Sequence, residues 1–279
     1  MKMVVTHLTR IQRGTICAAG LDIETGHHVR PILPMGVFQS KMTAPKGGPF
    51  DMATVVDLGV TRPVPSPPEV EDVEVTWWHA RAVATVEPSL FWDMLRLVSR
   101  RSLRELFGPA LRTFGRSGRQ RAVTDLRSGS ASLGVLVPLG RPRLSIDRKP
   151  DGREVVRMQF WDGERRLDLS VTDLRLYADD GARPDTALVE DVARRLQGGV
   201  PVMLGVGLTR PFASRPNEAP LHWLQVNNIH LEDDPCWRLA PAMGASPLVS
   251  ATGVSPILPD RTVATSGVGA GLLDDDLPF

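Results

Sequence analysis

VEVTWWHARAVATVEPSLFWDMLRLVSRRSLRELFG, residues 73–108, changes its hydrophobic period at Pro88. Residues 73–86 are rich in valine, threonine and tryptophan and read as a β segment. From Pro88 the apolar side chains fall at Leu90, Phe91, Met94, Leu95 and Val98, then at Leu103, Leu106 and Phe107, the spacing of one helical face. Ser89, after Pro88, is the expected cap. A strand-rich stretch therefore runs into a helix, and the same order can be sought on either side.

Upstream, MVVTHLTRI (3–11) and GTICAAGLDIETGHHVRPIL (14–33) read as paired strands, with Glu24-Thr25-Gly26 as a hairpin turn. A Pro- and Gly-rich loop fills 34–50, and ATVVDLGVTRPV (53–64) is a further strand broken by the prolines at 63, 65, 67 and 68. Downstream, the arginine-rich stretch 108–132 has Gly and Ser scattered through it and reads as a mobile loop. LGVLVPLG (133–140), RPRLSIDR (141–148) and EVVRMQFWDGERRLDLSVTDLRLY (154–177) return to β, the last with a hairpin at Asp162-Gly163. In DTALVEDVARRLQGG, Leu188, Val189, Val192, Ala193 and Leu196 form a helical face that Gly198-Gly199 terminates. VPVMLGVGLTRPF (200–212) and LHWLQVNNIHL (221–231) close as a β pair around a polar loop.

Each half thus holds about three strands, a helix and more strands, which fits a small closed barrel with a helix plugging one end, the OB-fold arrangement. An SH3-like barrel or a sandwich leaves a lone helix at the same place in both halves unexplained. The expected fold is mainly β: two fused OB-fold barrels, 1–132 and 133–239, each with a capping helix, then a disordered linker at 240–271 and an acidic tip at 272–279.

Composition excludes several classes. The 279 residues are 42% hydrophobic and 23% charged, ordinary for a globular protein of one large or two small domains. No run of about 18 apolar residues exists to span a membrane. MKMVVTHLTRIQRG has no apolar core of signal-peptide length, so a cytoplasmic protein is expected. Cys17 and Cys236 fit no metal or disulfide framework. GRSGRQR (115–121) lacks the spacing and the preceding strand of a phosphate-cradling loop. His27-His28 are adjacent rather than helically spaced, and His222, His230 and Cys236 are scattered. No cofactor, no metal and no catalytic activity are expected.

Charge is unevenly placed. Among 33 Lys plus Arg residues only Lys2, Lys41, Lys46 and Lys149 are lysines, and arginine is the cation suited to phosphate forks and base stacking. Arg112, Arg116, Arg119, Arg121 and Arg127 face a single acid, Asp125, between Gly108 and Ser132. Residues 240–271 are mostly Pro, Gly, Ser, Thr, Val and Ala with no amphipathic period, the composition of a linker. As a flexible coil it spans roughly 30 Å. It ends in LLDDDLPF (272–279), where Phe279 can fill an apolar pocket and its α-carboxylate can take a rim arginine. Pro278 lowers the ordering cost, Asp274, Asp275 and Asp276 suit a basic partner surface, and Leu277 completes the partner-binding set.

Single-strand binders need a cationic groove and flat side chains on which bases stack. Trp77 and Trp78 lie in a β segment, so one faces out if the other faces the core. Arg112, Arg116, Arg119 and Arg121 can clamp phosphates from a loop. Arg10, Arg30, Arg62 and Arg210 sit in similar Thr-Arg or Arg-Pro contexts, and Phe212 and Trp223 flank the last loop of the second half.

Two resemblances carry further expectations. THLTR (6–10), VRPILP (29–34), GLTRPF (207–212) and HWLQVNNIHL (222–231) resemble the dual OB-containing family of bacterial proteins over roughly residues 1–238, implying two fused OB-folds and nucleic-acid binding. DDDLPF (274–279) resembles the acidic tip of bacterial single-stranded DNA-binding proteins, with leucine for the usual isoleucine. That tip implies recruitment of repair, recombination and replication enzymes. The body departs from the single OB-fold of those proteins, so tetrameric assembly and the DNA-wrapping residues do not carry over, and homo-oligomer formation stays open. The expected function is binding of single-stranded DNA by the barrels and of DNA-processing enzymes by the tip. An adaptor whose barrels bind a partner nuclease or helicase is the alternative.

Overall fold

Lys2–Gln12 (β1) is buried on both faces for most of its length, so it can serve one barrel and also carry the other on its outer side. In a computed structural model the described residues are 1–12, 14–115, 120–178, 181–215, 217–239 and 250–251. β1 pairs antiparallel with Thr15–Asp22 (β2), which pairs antiparallel with His28–Ile32 (β3) and with the short Phe38–Gln39 (β4). On its other edge β1 pairs antiparallel with Thr54–Asp57 (β5). Thr61–Pro63 (β6) extends the sheet against Asp72–Val75 (β7). β7 lies parallel to β3, and Arg81–Val86 (β8) lies antiparallel to β5. Because β7 and β8 are successive, one path of chain joins both ends of the sheet and curls it into the five-stranded Greek key of an OB barrel.

Residues 73–86 are therefore not one strand. Trp77–His79 forms a 3₁₀ turn between β7 and β8, so the alternation expected of Trp77 and Trp78 does not apply. Pro88–Val98 (α1) follows, with Pro88 as its first residue and Glu87, rather than Ser89, at the cap position. Phe91, Met94 and Leu95 enter the first core from it. The helix stops at Val98 because Ser99–Arg100 (β9) is taken up in a parallel pairing with the second half. Leu103–Phe107 (α2) is separate, capped by Ser102 Oγ, which accepts from the Glu105 amide at 3.2 Å.

The arginine-rich stretch read as a mobile loop contains a hairpin, Arg112–Phe114 (β10) with Arg121–Thr124 (β11). Leu133–Leu136 (β12) and Leu139–Arg148 (β13) form one bent path. β12 pairs with Val202–Leu208 (β16), and β13 pairs with Glu154–Trp161 (β14), which pairs in turn with Arg166–Ser170 (β15). β16 pairs with His222–Leu231 (β17), to which β11 also attaches. A parallel bridge between Val171 and Val226 brings β15 to β17 and closes the second ring in the same order as the first. Ser250–Ala251 (β18) pairs in parallel with β8, and the rest of the expected linker and tip lies outside the described residues.

The helices do not occupy equivalent places. Thr186–Gly198 (α3) stands between the third and fourth strands of its ring and buries Val189, Val192 and Leu196. Asp185 caps it by accepting from the Leu188 amide at 3.1 Å, and Gly199 ends it at φ 89°, a conformation glycine adopts without a Cβ clash. In the first ring that interval holds, besides β4, just the 3₁₀ turns Ser40–Met42 and Ala44–Lys46, since Pro34, Gly36, Pro45, Gly47, Gly48 and Pro49 cannot sustain a helix. Its helix, α1, comes after the last strand instead.

Two apolar cores result, and they exchange residues across the seam. Val135 and Met203 pack in the first, while Leu103, Phe107 and Ala122 pack in the second. The seam is also polar: the Leu8 amide donates to Asn228 Oδ1 at 2.8 Å, and the Arg10 amide to the Thr172 carbonyl at 2.9 Å. Arg175, wholly buried, donates to both Asp173 oxygens at 2.9 and 2.7 Å and to the Trp237 and Ile229 carbonyls at 2.8 Å. Its guanidinium lies 3.8 Å from the Trp237 ring centroid, which fastens the segment after β17 to the barrel. Among the described residues no helix is long and apolar enough to cross a membrane.

Candidate nucleic-acid interface

On β14 the core takes Val156, Met158 and Phe160, so strand alternation turns Arg157, Gln159 and Trp161 outward. β15 sends Leu167 and Leu169 inward and Arg166, Asp168 and Ser170 outward. Register aligns Arg143, Gln159 and Asp168 in one cross-strand row, and Ser145, Arg157 and Ser170 in the next. Trp161, 43% exposed, stands opposite Arg166 at the end of the face. Arg157 is the fixed member: Nε donates to Asp168 Oδ1 at 2.9 Å and Nη1 to Ser170 Oγ at 2.8 Å. Arg143 and Arg166 remain exposed beside it.

The hairpin β10–β11 adjoins this face. The Asp168 amide donates to the Gln120 carbonyl at 2.9 Å, and Arg165 Nη1 donates to Thr113 Oγ1 at 2.7 Å. Arg121 thereby joins a cationic group with Arg157, Lys149 and Arg153. Lys149 is held below the usual lysine range by burial, then by the Arg153 charge and, more weakly, by Arg157 and Arg121. Asp147, Asp151 and Asp168 offset part of the field. This is the strand-two and strand-three face of an OB barrel, largely buried at Arg157, Asp168 and Ser170 but exposed at Arg143, Trp161 and Arg166. It offers a flat aromatic together with cations, the elements single-strand binders combine.

A second set of sequence-predicted residues meets elsewhere. Arg10 from β1, Arg30 from β3, and Arg210 and Phe212 after β16 line one cleft at the junction of the barrels, with a volume of about 530 Å³. Its floor is the strand-two and strand-three surface of the first barrel, which carries Cys17 and Ala19, and Gln225 and Asn227 of β17 border it. Arg30 Nε donates to Asp72 Oδ1 at 2.7 Å; Arg210 Nη1 reaches Asp72 Oδ2 at 2.7 Å and Glu69 Oε1 at 3.2 Å. Arg10 stacks 4.3 Å from the Tyr177 ring centroid and donates from Nη1 to the Gly181 carbonyl at 2.9 Å. Burial pushes the Cys17 thiol up, which makes it a poor nucleophile near neutrality.

The other predicted residues are dispersed. Arg62 pairs with Glu74 on an exposed edge, and Arg112 with Asp125 at 2.5 Å. Trp78 is 68% exposed on its 3₁₀ turn, whereas Trp223 is buried between Phe114 and Phe212 and donates to the Phe212 carbonyl at 3.4 Å. The Trp77 side chain, Arg116, Arg119 and the tip residues Asp274 to Phe279 lie outside the described residues. Sequence reasoning missed Arg143, Gln159 and Arg166 and leaves Phe160-Trp161, beside the hairpin turn, divided between packing and stacking, although alternation away from the Asp162-Gly163 turn signals their shared face.

His7, His28 and His230 cluster behind the cleft, with His7 and His28 ring centroids 5.7 Å apart. Burial first and then the His28 charge bring His7 down to about 3, and burial first brings His28 to about 4. His230 lies well below the usual histidine range, chiefly through burial and then the Arg175 and His7 charges, with the Pro235 and Thr6 backbone opposing the shift. Among the described residues no group of three His, Cys, Asp or Glu side chains can hold a metal ion.

The family model of the dual OB-containing domain matches residues 1–229. No curated protein and no solved structure matches the chain. Paired OB domains make it a protein of the nucleic-acid-binding type.

Proposed function

We propose, from the premise that the chain belongs to the dual OB-containing domain family, that it binds single-stranded DNA without catalysis and recruits DNA-processing enzymes through its C-terminal tip. The observation that carries the reading is the outward face of β13–β15, where Trp161 stands opposite Arg166 at one end, Arg143 lies on the neighbouring strand, and Arg121 enters from the adjoining hairpin beside Arg157. The arginines neutralise phosphates and Trp161 stacks a base, which gives affinity with little sequence readout. Recruitment rests on DDDLPF at the chain terminus, whose ring, carboxylate and three aspartates suit a basic, pocketed partner. Titrating a fluorescent oligo-dT with the full chain tests the reading. Binding that weakens steeply with salt supports it; no binding at low salt favours the adaptor alternative.

A further inference from the structure

The junction cleft holds polar groups that the protein leaves unsatisfied. Thr9 Oγ1, Arg10 Nε and Arg30 Nη2 all belong to cleft-lining residues, and each is buried without a hydrogen-bond partner among the described residues. Thr9 and Arg30 are 7% and 4% exposed, so water reaches them poorly. Buried polar groups are nearly always paired, and a cluster of orphaned donors around one cavity points to an acceptor-rich occupant. The volume of about 530 Å³ lies within the ~300–1,000 Å³ range of small-molecule sites.

We infer that this cleft is a second binding site, separate from the outer face of the second barrel, and that it takes a single mononucleotide. Charge limits the anion. Asp72 and Glu69 neutralise Arg30 and Arg210, while Arg10 has no acidic partner among the described residues. The net of about one positive charge suits a monophosphate, with ~1.5–2 negative charges at neutral pH, better than a triphosphate. Shape and lining account for the rest of the ligand. Ile32, Pro34 and Val37 from the first barrel and Pro211 and Phe212 from the second give apolar walls for a planar base. The Gln225 and Asn227 carboxamides offer the paired donor and acceptor that a base edge matches. Thr9, Arg10 and Arg30 then hold the phosphate.

Isothermal titration of the full chain with the four nucleoside monophosphates, their triphosphates and inorganic phosphate tests this. At least one monophosphate binds with 1:1 stoichiometry and more tightly than its triphosphate, and Arg10→Gln weakens it by about 10- to 100-fold, the effect of one charge-assisted hydrogen bond. The double variant R143E/R166E leaves this binding intact, which separates failure of the cleft from failure of the strand-binding face. A readout in the unaltered protein removes dependence on how Arg10→Gln folds: alkylation of Cys17 at alkaline pH, where its raised thiol ionises, mapped by mass spectrometry, slows when the monophosphate is present. The inference is overturned if no monophosphate gives heat or Cys17 protection, if Arg10→Gln folds and binds unchanged, or if inorganic phosphate alone binds as tightly.

Discussion

Lowering the pH from 7.5 to 5 loads the seam between the barrels with an electrostatic cost that the buried histidines set. His7 and His230 are 1% and 0% exposed, and burial is the largest cause of their depressed pKa values. Each binds a proton more readily when unfolded, near the reference value of ~6.5, than when folded. The unfolded chain therefore gains protons first as pH falls, and stability is lost below about pH 6.5, with the loss growing until the folded pKa is reached. A histidine still neutral in the fold at pH 5 is about 1.5 units past its unfolded pKa, which at ~1.36 kcal/mol per unit costs about 2 kcal/mol. His7 and His230 together cost about 4 kcal/mol, a large part of a typical ~5–15 kcal/mol total. His28, brought to about 4 by burial and then by His27 and Arg100, acts in the same direction. Asp51, whose carboxyl is pushed up by burial, opposes it. His230→Leu tests the effect directly, because it removes one of these buried titratable rings and leaves an apolar side chain in an interior site. Urea unfolding followed by tryptophan fluorescence at pH 7.5, 6.5, 5.5 and 5.0 should show His230→Leu gaining about 2 kcal/mol on the wild type between the first and last pH. Parallel stability profiles for the two proteins would refute the reasoning.

Other perturbations bear on fold and function. Arg175→Met leaves Asp173 charged and unpaired in the interior, and should cost about 3–5 kcal/mol in chemical denaturation. Gly20→Ala places a Cβ 1.9 Å from the Val4 carbonyl oxygen in the β1–β2 ladder, and should lower stability by about 1–3 kcal/mol or more by the same measurement. Deleting residues 272–279 should raise oligonucleotide affinity most at low salt, because a tethered acidic tip competes for the cationic face; unchanged low-salt affinity would exclude that competition.

Much of the architecture was legible because local chemistry and tertiary structure agree. The turns at Glu24–Gly26 and Asp162-Gly163 join the expected hairpins, and Gly199 ends α3 where the Gly198-Gly199 stop signal places its end. The failures occur where a distant partner decides. The apolar period through Val98 and Leu103 predicts one helix, but Ser99 and Arg100 gain strand pairing with Val135 and Leu136 instead. Gly115 and its neighbours conceal a hairpin whose partner strand, β17, lies about a hundred residues away in the chain. Arg10, Arg30, Arg210 and Phe212 each stand out in the sequence as candidates, yet their meeting in one cleft depends on how the barrels pack. Trp161 was ambiguous between packing and stacking until the inward set Val156, Met158 and Phe160 fixed the register of β14.

The central claim rests on the outer face of β13–β15, and fluorescence anisotropy of a labelled oligo-dT across a salt series tests it most directly. Three phosphate contacts, from Arg121, Arg143 and Arg166, predict a log–log salt slope of about −2 for a single strand. R143E/R166E should reduce that slope and weaken binding by at least about tenfold, while its thermal unfolding stays near wild type because both side chains are exposed. Equal affinity and salt slope in the wild type and the folded double variant would contradict the account.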